Sequence, residues 1–590
     1  MSQVYPGNTP PVKGGLTGGG RLRSLPASSG KEAFMKDRLF ALAMIATASV
    51  VAAGDENVDL ATIHRIKDEA FLGSRVMDHL FFLTDVNGPR LTNSPGFRAA
   101  ADWSVRRLKE WGVANARLEK WGTFGRGWSL TRFSAHLKEP VYAPLPGIPK
   151  AWSAATPGVI TAEVVSAPVF TPQEDSDRFD LVKVTERIAS YSAEQKGRLK
   201  GRIVLVEPLR ELKPPTEAPS ERYDDKKLAE IVAAPEPFAA PPLERPLLRL
   251  DPDPKKRWLI FNAYPAEVLW EYWDRVEGAY EHLTAFLHDE GAAAVLSTDT
   301  RGAGGIVFAE NAGRWGRDAA APPAWVVLQP ESYYRIARLV ERKIPVKVEL
   351  EVAAAFNDDA PDGVNVVGEI PGGKKKDEVV MLGAHLDSWH SGTGATDNAA
   401  GCAVALEAMR ILKALNLTMD RTVRLALWSG EEQGLYGSRG YVKEHFGDPV
   451  TMAVKPEHAK LAAYFNVDNG TGKIRGVYLQ GNDMVRPVFE SWLAPFRDLG
   501  ATTLSIRNTG GTDHQSFDDL GLPGFQFIQD PLDYGSRTHH SNLDVYDHIV
   551  PADLMQASAV LASFVYEAAI RPDMLPRKPR PKPLPAAKER

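Results

Sequence analysis

The strongest pattern along the chain is a set of short, nearly continuous apolar runs that each stop at a charged or imidazole-bearing group. Residues 378–384 are one, ending in His385-Leu386-Asp387; 422–428 are a second, leading into Ser429-Gly430-Glu431-Glu432-Gln433-Gly434; 461–467 are a third, ending in Asp468. Runs of this length and continuity fill strands buried on both faces of a parallel sheet. Between the first two, residues 399–415 are apolar at helical spacing and follow the flexible loop Gly392-Thr393-Gly394-Ala395-Thr396-Asp397. The resulting strand–helix–strand unit predicts an α/β fold, with a mixed, mainly parallel sheet and helices on both faces.

Elsewhere the pattern changes several times. Residues 1–34 are rich in Gly, Ser and Pro without apolar periodicity, and predict a disordered leader. Residues 35–53 then read as a charged start, an apolar stretch and a small-residue end, the layout of a secretory signal peptide cleaved after Ala53, with translation starting at Met35. The apolar stretch is too short for a comfortable membrane span. Residues 58–120 recur at helical spacing around a turn at Asn87-Gly88-Pro89-Arg90-Leu91-Thr92-Asn93-Ser94, and 54–139 are assigned to the first part of the main domain. From 140 to 352 short apolar runs alternate with turns and predict an inserted β-rich domain. Within it, 208–254 are too rich in proline for a strand or long helix and read as an extended excursion or lid. Residues 258–290 are aromatic and helical, and pack on the insert's own sheet or reach substrate. The main domain resumes over 353–572, and the basic, Pro-rich 573–590 predict a disordered tail.

The chemistry gathers at the strand ends. Side-chain alternation sends His385 and Asp387 out on one side, which suits a metal-bound imidazole and a carboxylate that orients it. Asp397 stands where it can cap the following helix or bridge two cations. Glu431 and Glu432 are adjacent and point different ways, so one can ligate a metal while the other holds a proton. Singly, each feature has an ordinary structural reading as a hydrogen-bonded histidine, a cap or solvated glutamates. Together they fall at consecutive strand ends, where open parallel sheets bind their ligands. Thr538-His539-His540-Ser541-Asn542-Leu543-Asp544 brings imidazole back to the same face. Two histidines with three or four carboxylates form a donor set suited to paired zinc ions. One carboxylate shared by metals about 3.5–4 Å apart is the arrangement of metal-assisted hydrolysis.

Composition narrows the partners. With 590 residues the chain has room for several domains. A net charge of -5 gives no support for a nucleic-acid or membrane-surface partner. A single cysteine excludes an intramolecular disulfide, and Cys402, on the apolar helix, reads as a small core residue rather than a nucleophile.

These motifs resemble metallopeptidase family 28, the co-catalytic zinc aminopeptidases and glutamate carboxypeptidases, and within it the plasma glutamate carboxypeptidase branch; the resemblance runs over roughly 60–570. It implies a zinc exopeptidase fold with an inserted protease-associated domain at 140–352, two Zn2+ ions, and His385, Asp397, Glu432, Asp468 and His540 as their ligands. Glu431 takes the place of the general base, and Asp387 that of the carboxylate orienting His385. His540 is preferred over His539 because Asp544 follows it by four residues, as an acid follows the family's late histidine. His539 then flanks the metals and polarises the scissile carbonyl, or is a turn residue. The family also carries a Gly-Pro-Arg-Leu-Thr segment near its cleft, like 88–92 here, and Phe124-Gly125-Arg126-Gly127-Trp128 looks like another shared motif. Gly510-Gly511-Thr512-Asp513-His514 matches a segment that lines the substrate pocket, although Asp513 could simply cap the next helix. The family's Ser-Trp-Asp gives way to Ser388-Trp389-His390, so His390 is a loop residue or an added ligand.

Three functions compete. A secreted or periplasmic aminopeptidase or dipeptidase acting on short peptides is preferred. A carboxypeptidase would need a cationic pocket, for which Arg126, Arg507 and Arg537 are available. A non-catalytic receptor-like homologue would be expected to lack a ligand, and none is missing. A peptide is the expected partner, without nucleic acid or stable membrane insertion, and the oligomeric state, a homodimer included, stays open.

Overall fold

Because successive side chains on a strand face opposite ways, a strand buried on both faces must be apolar throughout, and the three runs form the middle of an eight-stranded sheet. The computed structural model describes residues 56–587 except 214, 215, 217 and 234–241; the leader and signal segments lie outside these. The strand order is Ala114–Thr123, Asp362–Ile370, Arg421–Trp428, Lys375–His385, Leu461–Asn466, Gly524–Gln529, Ile474–Tyr478, Thr503–Ser505. The central pairs are parallel, with His385 level with Trp428 and Gly383 level with Asn466, and antiparallel pairs flank them.

Alternation divides the core into two layers. Val380, Leu382 and Ala384 pack with Phe465 and the helices Ala400–Ala414 and Pro551–Ile570, whereas Met381, Ala426, Trp428 and Tyr464 face Tyr436–His445 and His514–Asp518. Each fully buried Leu or Val here contributes about 1.5–3 kcal/mol. On the first face, Leu60–Leu72, Val76–Phe81 and Pro95–Glu110 are helices as expected, the last begun by Pro95 and by Ser94 accepting from Phe97 N. The helical reading of 58–120 ends too late. Gly112, at φ 69°, turns the chain out of the helix, and Ala114–Thr123 pairs as an edge strand. Its exposed, charged positions mask the strand period in the sequence.

A second eight-stranded sheet runs past the expected 140–352 bounds of the insert at both ends, in the order Ala143–Pro144, Gly127–Glu139, Lys347–Asn357, Ile160–Ser166, Ile203–Leu205, Ala294–Ser297, Trp325–Leu328, Gly147–Pro149. This sheet also has helices on both faces, so it holds more helix than its short apolar runs suggest. Pro330–Glu341 covers one face; Leu181–Gln195 and the rear of Ala266–Asp289 cover the other. The described part of the Pro-rich excursion leans on the first sheet. Its helix Asp225–Val232 buries Leu228 and Ile231 against Ile528, and Ser505 Oγ donates to Ile231 O.

The tail differs from expectation as well. Its described residues are irregular but anchored: Arg577 donates to Leu461 O, Lys578 pairs with Asp518 at 2.6 Å, and Leu584 N donates to Val450 O. Proline keeps the segment extended, and acceptors on the main body hold it there. Among the described residues no helix is long and apolar enough to cross a membrane.

Candidate metal centre

His385 is the last residue of its strand, and its ring is fixed from behind. Nδ1 lies 3.0 Å from Asp387 O, a carbonyl, so Nδ1 must carry the proton and Nε2 is left with a lone pair. That Nε2 has no hydrogen-bond partner, although it is buried 3.1 Å from Asp397 Oδ1, 3.7 Å from Asp468 Oδ2 and 3.9 Å from Glu431 Oε2. The orienting group is thus the main-chain carbonyl of Asp387. Its carboxylate, expected in that role, stands 3.8 Å from Nδ1. It instead accepts from Thr92 Oγ1 at 2.9 Å and from the backbone N–H groups of Glu431 and Glu432, which fixes the glutamate pair. The chain turns sharply after His385, and the carbonyl is the group the turn presents to the ring.

Asp397 does not cap the helix Ala400–Ala414. Asn398 does so, its Oδ1 accepting from Gly401 N at 2.9 Å, and Asp397 Oδ2 is left buried without a partner. The loop is held from below by Arg90, whose guanidinium donates to Leu83 O, Leu386 O, Thr393 O and Gly394 O, and by Asp544, which accepts from Thr396. This accounts for Arg90 in the Gly-Pro-Arg-Leu-Thr segment and for Asp544 after His540.

On the other side of Asp397 stand the two late histidines. His540 Nδ1 donates to Glu310 Oε1 at 2.9 Å, which turns Nε2 towards Glu432 Oε2 at 3.0 Å and Asp397 Oδ2 at 3.3 Å. His539 Nε2 is 3.6 Å from Asp397 Oδ2, and its ring lies on His540 with centroids 3.8 Å apart. Two groups of ligand atoms therefore form, His385 with Asp397 and Asp468, and Asp397 with His539 and His540, the atoms of each within 4.8 Å of one another. Asp397 belongs to both. The adjacent glutamates diverge, Glu432 accepting from Trp389 N and approaching His540 while Glu431 approaches His385.

Electrostatics fit a cation site. Burial raises Glu432 to about 7, and burial together with Asp468, Asp513 and Glu432 lifts Glu431 well above the usual carboxylate range. Asp513 occupies the N-cap position of His514–Asp518 but makes no capping bond; both its oxygens are buried without partners, and burial pushes it to about 8. Buried carboxylates in such surplus call for metal. The orphan Nε2 of His385, the orphan oxygen of Asp397 and the mixed imidazole–carboxylate donors all fit zinc.

Other expected residues lie elsewhere. His514 Nε2 is bonded to Thr509 O and Gln480, and of its segment Gly511, with the following Gln515, lines the metal cleft. His390 is a loop residue with Nε2 donating to Pro149 O, and burial lowers it to about 4. Cys402 is buried with its thiol on His385 O, and burial pushes it to about 12. Arg126 is spent on Ala319 O and the Phe356 ring. Further residues contribute: Gln433, next to the glutamate pair, whose Oε1 lies 2.7 Å from Thr92 Oγ1, and a roof of Phe261, Leu269, Trp270 and Trp273 over the cleft, from the aromatic stretch 258–290 for which contact with substrate was the alternative to packing. Glu310, which comes from the insert, had no readable signal.

Residues 365–565 match the model of Peptidase family M28. Among curated proteins the chain is similar to carboxypeptidase Q of Bos taurus, 33% identical over 242 residues, covering 41% of this chain and 49% of that protein. It is also similar to aminopeptidase YwaD of Bacillus subtilis strain 168, 31% identical over 211 residues, covering 35% and 44%. These matches span about half the length of the curated relatives. Among solved structures, a Peptidase M28 precursor from Shewanella amazonensis SB2B shares the fold, with TM-score 0.58 and 23% identity over 88% of this chain and 98% of that one.

Proposed function

From the premise that residues 365–565 carry a Peptidase family M28 match, we propose that the protein is a di-zinc exopeptidase that hydrolyses short peptides from their amino end, as an aminopeptidase or dipeptidase. The observation that carries this reading is Asp397 shared between two ligand groups, with Glu431 beside one of them in the same cleft. His385, Asp397, Glu432, Asp468 and His540 hold the metals, and His539 flanks them. Zinc bound there supplies Lewis-acid activation of water and of the peptide carbonyl. Glu431 accepts the proton that water loses as its oxygen bonds to the carbonyl carbon, and delivers it to the amine as the C–N bond breaks. Asp387 contributes indirectly by holding the Glu431 backbone.

The polarity of the cleft favours the amino end. Its charged lining includes Asp397, Glu431, Glu432 and Asp468, and no Lys or Arg among the described residues. With two zinc ions in place these carboxylates are offset, and the described lining leaves no cationic side chain to pair with the terminal carboxylate that a carboxypeptidase must bind. Arg126, Arg507 and Arg537 are absent from this lining. The charged and apolar pattern of 35–53 supports a secreted or periplasmic location.

The test is bound metal together with hydrolysis of a free dipeptide beside its N-acetylated twin. The expected result is about two zincs per chain, cleavage of the free dipeptide alone, and a rate lowered about 10²–10⁴-fold in Glu431→Gln with zinc retained. Cleavage of the acetylated peptide would make it a carboxypeptidase. Metal-free, inactive protein would leave the non-catalytic reading.

A further inference from the structure

We propose that the insert selects the substrate, and that its roof over the metal cleft accepts a bulky apolar or aromatic side chain from the peptide's first residue. This rests on the exopeptidase reading above. The two helices concerned, Pro254–Ala263 and Ala266–Asp289, meet at Tyr264-Pro265. The second is divided in use. Its rear half, through Ala279, Leu283 and Leu287, is consumed by the insert's own core, whereas its front half puts Leu269, Trp270 and Trp273 in the same cleft as Asp397, Glu431 and Asp468. Phe261, from the preceding helix, lies across from Trp273, the rings stacked with centroids 6.4 Å apart.

The roof is held at a set position. Ala266 N donates to Asp519 Oδ2 at 2.7 Å, Gln515 Nε2 to Tyr264 O at 2.9 Å, Gly510 N to Asn262 Oδ1 at 3.0 Å, and Arg439 pairs with Glu267. Gly434, at the end of the glutamate turn, makes room for it: a Cβ there would stand 3.2 Å from the Trp270 ring, at a φ of 135° that other residues avoid. Phe261 and Trp273 pack on the cluster of Leu250, Tyr264, Val268 and Tyr272 yet stay half-buried, as does Trp270, so each keeps part of its apolar surface open to the cleft. Trp273 in addition keeps a buried indole N–H that no acceptor among the described residues meets, and a buried indole ordinarily finds one. A bound peptide supplies both what the rings lack and, in its carbonyl groups, the acceptor.

One methylene in an apolar pocket is worth roughly 10–200-fold in discrimination, so the zinc-loaded protein should prefer Phe-Gly over Ala-Gly by about 100-fold or more in kcat/KM. Trp270→Ala and Trp273→Ala should shrink that ratio to about tenfold or less, chiefly through KM, since the roof binds ground and transition states alike. Trp273→Phe should keep the preference while raising KM for every peptide a few-fold. Zinc content and melting temperature are measured on each variant, and tryptophan fluorescence follows the binding of L-phenylalanine and L-alanine without turnover. Comparable kcat/KM for Phe-Gly and Ala-Gly, or an unchanged ratio in a folded, zinc-loaded Trp270→Ala, overturns the roof. Absence of any hydrolysis defeats the exopeptidase reading instead, and the fluorescence titration then decides the roof alone, with equal binding of the two amino acids against it.

Discussion

The helix Ala400–Ala414 serves two buried clusters of histidine and carboxylate, one just before its first turn and one about two turns in. At the first, Asp397 meets His385 and His540; at the second, Glu407 meets His79, with Nε2 and Oε2 3.1 Å apart. Both are buried, and each keeps a ring nitrogen without a partner, His385 Nε2 and His79 Nδ1. Neither burial nor an orphan nitrogen tells them apart. Charge does. Glu407 takes two donors from Arg410, one from Arg75 N and one from His79, so its negative charge has a guanidinium beside it. At the other cluster Asp397, Glu431, Glu432 and Asp468 face a cleft whose described lining offers no guanidinium or ammonium. A buried surplus of negative charge is what a cation must settle, and this marks the first cluster as a site and the second as structure.

The largest effect expected from disturbing this contrast comes at the structural cluster. Glu407→Ala strips buried His79 and Arg75 N of their acceptor and leaves half-buried Arg410 with Glu69 alone, and should lower unfolding free energy by about 3–5 kcal/mol, with bound zinc unchanged. Denaturant titration and metal analysis on the same samples check both halves; zinc loss without destabilisation would erase the distinction.

Acid gives a smaller and graded version. Burial by itself would raise Glu407, but hydrogen bonds from His79 and Arg410 outweigh it and hold its carboxyl at about 2. A depressed carboxyl stabilises the fold above its unfolded value and loses that contribution as pH falls through its folded value. The gap in unfolding free energy between wild type and Glu407→Gln, on the order of 3 kcal/mol at neutral pH, should therefore close between about pH 4.5 and pH 2. A gap that stays constant with pH would mean that Glu407 acts by packing alone.

The smallest change sharpens the contrast from the other side. Glu310→Gln removes the carboxylate behind His540 and should weaken zinc binding about 10–100-fold, or about 1.4–2.7 kcal/mol, beyond any loss in the stability of the metal-free protein. Competition with a chelator of known affinity measures the first quantity and denaturant titration the second. Unaltered zinc affinity would return Glu310 to the insert's own architecture.

What the sequence determined by itself was local. An apolar run reads as a buried strand because the strand period is two residues, and a His or carboxylate at its end is placed by the same alternation; hence His385, Glu431, Glu432 and Asp468 stand out before any fold is known, and Asp397 does so by its place before the apolar helix. What tertiary structure decided depends on segments far apart meeting. The partner of His540 is 230 residues away in the insert, and the roofing tryptophans lie on a helix whose pattern suits packing on its own sheet equally well. The exchange of roles between the Asp387 carboxylate and carbonyl, and between Asp397 and Asn398 at the helix start, turned on ångström-scale placement of groups with the same hydrogen-bonding power. Periodicity encodes which face of an element is buried; what that face meets is set by docking, through contacts that leave no repeat in the chain.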